Sequence, residues 1–282
     1  IALAVGVVLG AGPLQSRIQA GVSSSATAST EDPQLSAQAD AEAAGLKALA
    51  SSTLTGSLSS AKVSLVVLPG ASDDDVTAIR STLTDAGASV IGRVTLTDNW
   101  QSTSMSQYRT TLSTTLASHL SSGAAKTASA DGVVGYSIVQ VLTSTGSETD
   151  LLRQILTDES TPIMTIDEDP AGAATTIVAV GPRAQAVAAN GASPAAVSAS
   201  SDAWVGLAQA VGSTSGVLVG DASTRDAMIT SVRASGTAVT TVDSVGTTLA
   251  AVDTALALST PATGARAFGV GNGAQSVIPS NK

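Results

Sequence analysis

Residues 62–96 read KVSLVVLPGASDDDVTAIRSTLTDAGASVIGRVTL, and they restrict the fold more than any other part of the chain. Val63–Leu68 is an unbroken apolar run closed by Pro69-Gly70, the pattern of a strand covered on both faces in a parallel sheet. Ser72 stands at the cap of a helix whose first turn carries Asp73, Asp74 and Asp75, where the helix dipole favours negative charge. Val76, Ile79, Leu83 and Ala86 share one helical face, Gly87 ends the helix, and Ser89–Leu96 supplies the next strand. A strand, an amphipathic helix and a second strand joined by short turns make a β-α-β unit.

The same grammar returns downstream. Gly216–Val219 is a strand, Gly220-Asp221-Ala222-Ser223 its turn, Ala227–Arg233 a helix with Met228 and Val232 inward, and Ala238–Val242 the following strand. Ala71-Ser72 and Ala222-Ser223 hold equivalent places in the two units, which share a grammar whether or not one arose from the other. Thr176–Val180 is a further strand closed by Gly181-Pro182. The spacing predicts helices over Ala195–Val211 and Thr247–Leu258, and loops over 123–131 and 183–194. Strands alternating with helices define an α/β domain with a mainly parallel sheet over residues 62–282.

Ahead of this domain the chain opens IALAVGVVLGAGPL, without charge before Arg17. Residues 1–14 read as part of a transmembrane helix: fourteen helical residues cover about 21 Å of a hydrocarbon core ~30 Å thick. Gly6 and Gly10 have the spacing that lets two membrane helices approach closely. Residues 15–61 are small and polar, with an imperfect heptad through Leu35, Ala39, Leu46 and Leu49 that Glu42 and Gly45 spoil. They read as a stalk or weak coiled coil.

The chemistry-bearing residues are few. There is no cysteine, one histidine (His119) and three methionines (Met105, Met164, Met228), so thiolate metal sites and cysteine nucleophiles are excluded. His119 sits on the polar flank of a helical stretch, and no G-x-S-x-G elbow accompanies it. Asp167-Glu168-Asp169 lacks the alternating oxygens of a calcium loop and reads as a solvated turn. Gly269-Val270-Gly271-Asn272-Gly273 resembles a phosphate cradle but lacks the flanking strand and helix, and reads as a closing loop. Pro69-Gly70 lies where a doubly wound sheet binds its ligands, though no G-x-G-x-x-G follows. Trp100, Tyr108, Tyr136, Trp204 and Phe268 are too scattered for a stacking platform and read as packing anchors. A net charge of −9 argues against nucleic-acid binding. The residues point to no catalytic, cofactor-binding or metal-ligating set, and to a protein that is not an enzyme.

In order and spacing, LAVGVVLGAGPL (3–14), the 62–98 stretch with its Pro-Gly-Ala turn, TVDSVGTTLAAVDTALAL (241–258) and GARAFGVGNGAQSVIP (264–279) resemble the actinobacterial copper-transport family typified by mycobacterial MctB. The resemblance implies a single N-terminal anchor in the cell membrane, an extracytoplasmic domain and a role in copper homeostasis, efflux or envelope permeability. An outer-membrane location is the family alternative. Related proteins imply a second role, as an adaptor controlling a cell-wall hydrolase or a cell-separation partner. The expected partners are membrane lipid at the anchor, an envelope protein, and a second copy of the chain. This sequence departs from the family in a short, Ser-rich segment after the anchor and in Phe268, where a Tyr is more usual. Copper itself fits the donor set poorly: Cu(I) favours thiolate or thioether and Cu(II) imidazole, and only convergence of Met105 with His119 could assemble a soft site. Alternating ten-residue strands of a membrane barrel are also missing.

Overall fold

The computed structural model describes residues 33–184 and 198–279; the anchor expected at residues 1–14 lies outside the described residues. Among the described residues no helix is long and apolar enough to cross a membrane.

Among the described residues seven strands form one sheet: β1 (Lys62–Val67), β2 (Ser89–Leu96), β3 (Met164–Glu168), β4 (Thr176–Val180), β5 (Val217–Val219), β6 (Thr240–Val242) and β7 (Arg266–Phe268). Their spatial order is β3-β2-β1-β4-β5-β6-β7, parallel throughout except for β3, which runs antiparallel to β2 at one edge. β1 pairs with β2 on one side (Leu65 opposite Arg93) and with β4 on the other (Leu65 opposite Val178). The chain therefore leaves β1 in one direction along the sheet and later returns to its opposite flank. That reversal is the topological switch of a doubly wound fold.

Alternation along the strands feeds two cores, which is why their sequences read as continuous apolar runs. Val63, Leu65, Val67, Val178 and Val219 face the helices α2 (Asp73–Asp85) and α10 (Thr248–Ser259) and the end of α1 (Pro33–Leu54). Val66, Leu68, Val94, Leu96, Ile177 and Leu218 face α4 (Ser106–His119), α6 (Ala130–Thr143), α7 (Ser147–Leu156), α8 (Ser201–Gly212) and α9 (Met228–Ala234). The main compact unit runs from Glu42 to the C-terminus, and within it α1 buries Ala50 and Leu54 in the first of these cores. Residues 33–41 of α1 fall in a separate unit.

Several local expectations are corrected. Residues 123–131 are not a loop: α5 (Gly123–Lys126) and the start of α6 occupy them, capped by the side chains of Ser122 and Ser129. Four alanines and Lys126 favour helix there, and burial of Ala125, Val133 and Val134 in the core fixes the two short turns. The helix expected from Ala195 begins at Ser201 instead. Ser72 occupies the N-cap of α2 but caps through its carbonyl, not its hydroxyl. The acidic run 167–169 is not a solvated turn, because Asp167 and Glu168 end the edge strand β3. Of the loop expected at 183–194, only Arg183 and Ala184 lie among the described residues.

α6 and α8 approach closely where two glycines meet. A Cβ on Gly135 would lie 2.6 Å from the Gly206 carbonyl oxygen, and one on Gly206 would lie 2.5 Å from the Asp131 backbone. Gly206→Ala is expected to cost about 2 kcal/mol through overpacking, whereas Gly45→Ala, in open space on α1, gains up to ~1 kcal/mol from reduced chain entropy. Urea unfolding midpoints of the two variants check the opposite signs.

Candidate functional site

At the C-terminal edge of the sheet the turns after β1, β4 and β5 diverge around the switch point and leave a crevice of about 640 Å³. Pro69-Gly70 follows β1, Pro182-Arg183 follows β4, and Asp221 follows β5. Gly70 takes φ +80°, so the turn at the strand end needs the residue without a Cβ. The sequence-predicted Pro69-Gly70 edge thus forms one wall. Met228, at the start of α9, makes the floor: its methyl group packs on Gly181 and Gly220, where any side chain would strike it. Trp204 of α8 and Gln101 of α3 (Asp98–Gln101) close the far side, the indole N–H donating to Gln101 Oε1 at 3.4 Å.

The charge on this crevice is inverted relative to a phosphate site. Among the described residues lining it Arg183 is the one cation, and its guanidinium is held by both oxygens of the buried Asp75 at 2.7 and 2.6 Å. That pairing raises the Arg183 pKa above its ordinary value. The helix following β1 presents Asp73, Asp74 and Asp75 in its first turn, where a nucleotide-binding fold would offer free amides. Asp98, Asp221 and Asp226 add three carboxylates to the lining. Asp221 accepts from the Ser223 amide at 2.8 Å, while Asp98 and Asp226 are exposed and have no side-chain partner among the described residues.

The glycine-rich segment 269–273 lies beside this crevice and binds an internal anion. Asp243, buried at the end of β6, accepts from the amides of Val270 (2.8 Å) and Gly271 (3.0 Å), from the Ser244 hydroxyl (2.7 Å) and from Arg233 Nη1 (2.9 Å). Burial works against its ionisation, but these bonds outweigh it and hold the carboxyl below the usual range. Gly269 has φ +119°, and a Cβ there would collide with the Asp243 carboxylate. The resemblance to a phosphate cradle was therefore partly physical: the amides do cradle an oxyanion, and it is the protein's own. Arg233 also donates to the carbonyls of Phe268 and Asn272, tying the C-terminal segment to the sheet.

The soft donors do not converge on one site. Met105 and His119 stand at opposite ends of α4, roughly 20 Å apart at 1.5 Å per residue. His119 Nδ1 pairs with Glu148 Oε2 at 2.7 Å. Met164 is fully enclosed on β3, three strands from the β4–β5 pair over which Met228 packs. The three acids of 167–169 each meet an arginine: Asp167 with Arg93 (3.1 Å), Glu168 with Arg80, and Asp169 with Arg153 (3.0 Å). Among the described residues no cluster of three His, Asp or Glu side chains is arranged to hold a metal ion. Trp100 is fully buried and Phe268 packs beneath α10 as an anchor should.

Three buried polar features escaped the sequence reading. They are Asp243 with Arg233, the enclosed Arg109 that pairs with Asp131 at 2.5 Å, and Asp253 on α10, whose carboxylate oxygens have no hydrogen-bond partner among the described residues. Asp243 had one signal, its place directly after an apolar strand; Arg109 lies in a helix whose inward face no periodicity singled out, and Asp253 in the helix expected over 247–258, whose spacing gave no sign that an acid faces inward.

The fold and the crevice define a three-layer, doubly wound α/β protein with its cleft at the switch point. By sequence comparison the chain belongs to the MctB family, described as copper transport outer membrane protein, whose family model matches residues 1–279. No curated protein matches the chain.

Proposed function

We infer that this protein serves copper homeostasis or envelope permeability indirectly, as a non-enzymatic extracytoplasmic domain on a membrane anchor, and that its α/β domain does not itself ligate copper. The observation that carries this reading is the dispersal of the soft donors. A Cu(I) site takes two or more thioether or imidazole ligands within a few ångströms. Here Met105 and His119 are separated by the whole length of α4, His119 is engaged by Glu148, and Met164 and Met228 are packed in the core over separate strands. The match to a copper-transport family supports the physiological setting.

Cells relying on a Met105→Leu, His119→Gln, Met228→Leu variant are expected to keep their full copper tolerance, measured as growth against added copper. Loss of tolerance with normal protein levels would contradict the reading.

A second reading, an adaptor for a cell-wall or cell-separation partner, is favoured by Val270, Val277 and Ile278, three exposed apolar side chains on the C-terminal segment beside β7. Crosslinking at Val277 that retrieves one envelope protein, and loses it in Val277→Asp, is the result this second reading requires.

A further inference from the structure

α10 carries a group that neither the copper reading nor the packing of the domain accounts for. Asp253 lies midway along the helix, fully enclosed, and neither carboxylate oxygen has a hydrogen-bond partner among the described residues. Other buried charges are engaged: Asp75 by Arg183, Asp243 by Arg233 and Arg109 by Asp131. A carboxyl group sealed from water without a donor or a counter-charge is tolerated there only with its proton on. To ionise, it must first reach water.

The charged groups around α10 do not relieve it. α2, β5 and β6 pack against the helix. On α2, Asp74 and Asp75 stand with Arg183 beside the start of α10, Asp85 lies in the groove opposite Lys47 of α1, and Asp73 and Arg80 are engaged by Arg93 and Glu168 at the β2–β3 edge. β6 leads into Asp243 with its partner Arg233, and β5 holds no charged residue. Arg266 of β7 donates to the carbonyls of Ala257 and Thr260 at the far end of the helix. None of these donates to Asp253, and the negative charge of Asp243 opposes its ionisation further.

The helix is also built to move. Ser244 (φ +61°) and Gly246 (φ +92°) turn the chain into it, and β6 and β7, the strands it joins, are three residues each. Ala250, Ala251, Ala255 and Ala257 make up much of its buried surface, and each contributes little apolar area. An element bounded by turns and seated on small side chains can leave its seat while the rest of the sheet stays folded. We propose that α10 is a pH-gated element of the fold: with Asp253 protonated it stays seated between α2 and the sheet, and loss of that proton lifts it locally, baring Val219 and Val242 on the strands beneath. This device stands apart from the copper reading and would survive its failure.

The test is amide hydrogen exchange of the full chain at several pH values between 4 and 8, with rates corrected for the intrinsic pH dependence of exchange. Amides of α10 are expected to be less protected than those of β1 and β4. Their protection should fall by about tenfold per pH unit from pH 4 to 7, because opening then releases one proton. Asp253→Asn should abolish that slope in α10 and raise its protection at pH 8. Asp253→Ala, which leaves space in place of the carboxyl group, should remove the slope as well. Protection of α10 equal to that of β1 and β4 would mean that the helix leaves only when the whole domain unfolds, and overturns the proposal. So does protection of α10 that is independent of pH in the wild type, or a slope that survives in both variants.

Discussion

Replacing Asp253 with Asn is expected to stabilise the protein by about 4 kcal/mol at pH 8 and to leave it nearly unchanged at pH 4. Asp253 is fully buried on α10, both carboxylate oxygens lack a hydrogen-bond partner among the described residues, and burial, reinforced by the negative charge of Asp243, pushes its pKa from 3.8 up to about 7. In the unfolded chain the group loses its proton near 3.8; in the folded chain it keeps it until about pH 7. Stability is therefore complete below pH 4, falls as the pH rises towards 7, and is flat beyond. Some three pH units at ~1.4 kcal/mol each give the magnitude. The Asn variant cannot ionise, so its stability should cross that interval without the decline. Urea unfolding at several pH values decides it, and a wild-type profile that is flat from pH 4 to 8 would refute the assignment.

Removing the charge opposite Asp243 should have an effect of similar size and opposite sign. Arg233→Met is expected to cost about 4 kcal/mol, because it leaves a buried carboxylate without its counter-charge and strips the donors from the Phe268 and Asn272 carbonyls. Arg233→Met with Asp243→Asn should recover part of the loss, since the uncompensated charge is then gone. The pH dependence differs from that of Asp253. The depressed pKa of Asp243 contributes stability above the ordinary carboxyl range that is lost as the pH falls through its folded value; the Ser244 hydroxyl and the Val270 and Gly271 amides remain in the single variant, so it loses only part of that acid limb. Unfolding midpoints of the single and double variants, measured at neutral and acid pH, give the coupling directly. A double variant no more stable than Arg233→Met would contradict it.

These two sites mark the limit of what the residues alone convey. The run 62–96 was readable because strand and helix periods differ and each element buries a face matching its own period: Leu65 and Val67 alternate with Val66 and Leu68, and Val76, Ile79 and Leu83 return at helical spacing. The helices between Asp98 and Leu156 were harder. α6 is apolar on all sides (VVGYSIVQVL) and reads equally as a strand, and α5 is a single turn of small residues. β3 and β7 are edge strands of five and three residues, too short to carry a period. The crevice was half legible, since Pro69-Gly70 announced its first wall, but Trp204, Asp221 and Asp226 reach it only through the crossover connections. Asp243 and Asp253 stayed hidden because a buried charge announces itself through what surrounds it, and those neighbours are distant in sequence.

The central claim is that this copper-family chain carries no copper site in its α/β domain, and thermal unfolding of the full chain with and without excess Cu(I) under reducing conditions tests it most directly. A native-state site filled at a hundred times its dissociation constant adds about 2.7 kcal/mol, a shift of a few degrees for a domain of this size. The account predicts a transition midpoint that does not move with Cu(I). A copper-specific rise that disappears in Met105→Leu, His119→Gln or Met228→Leu would contradict it.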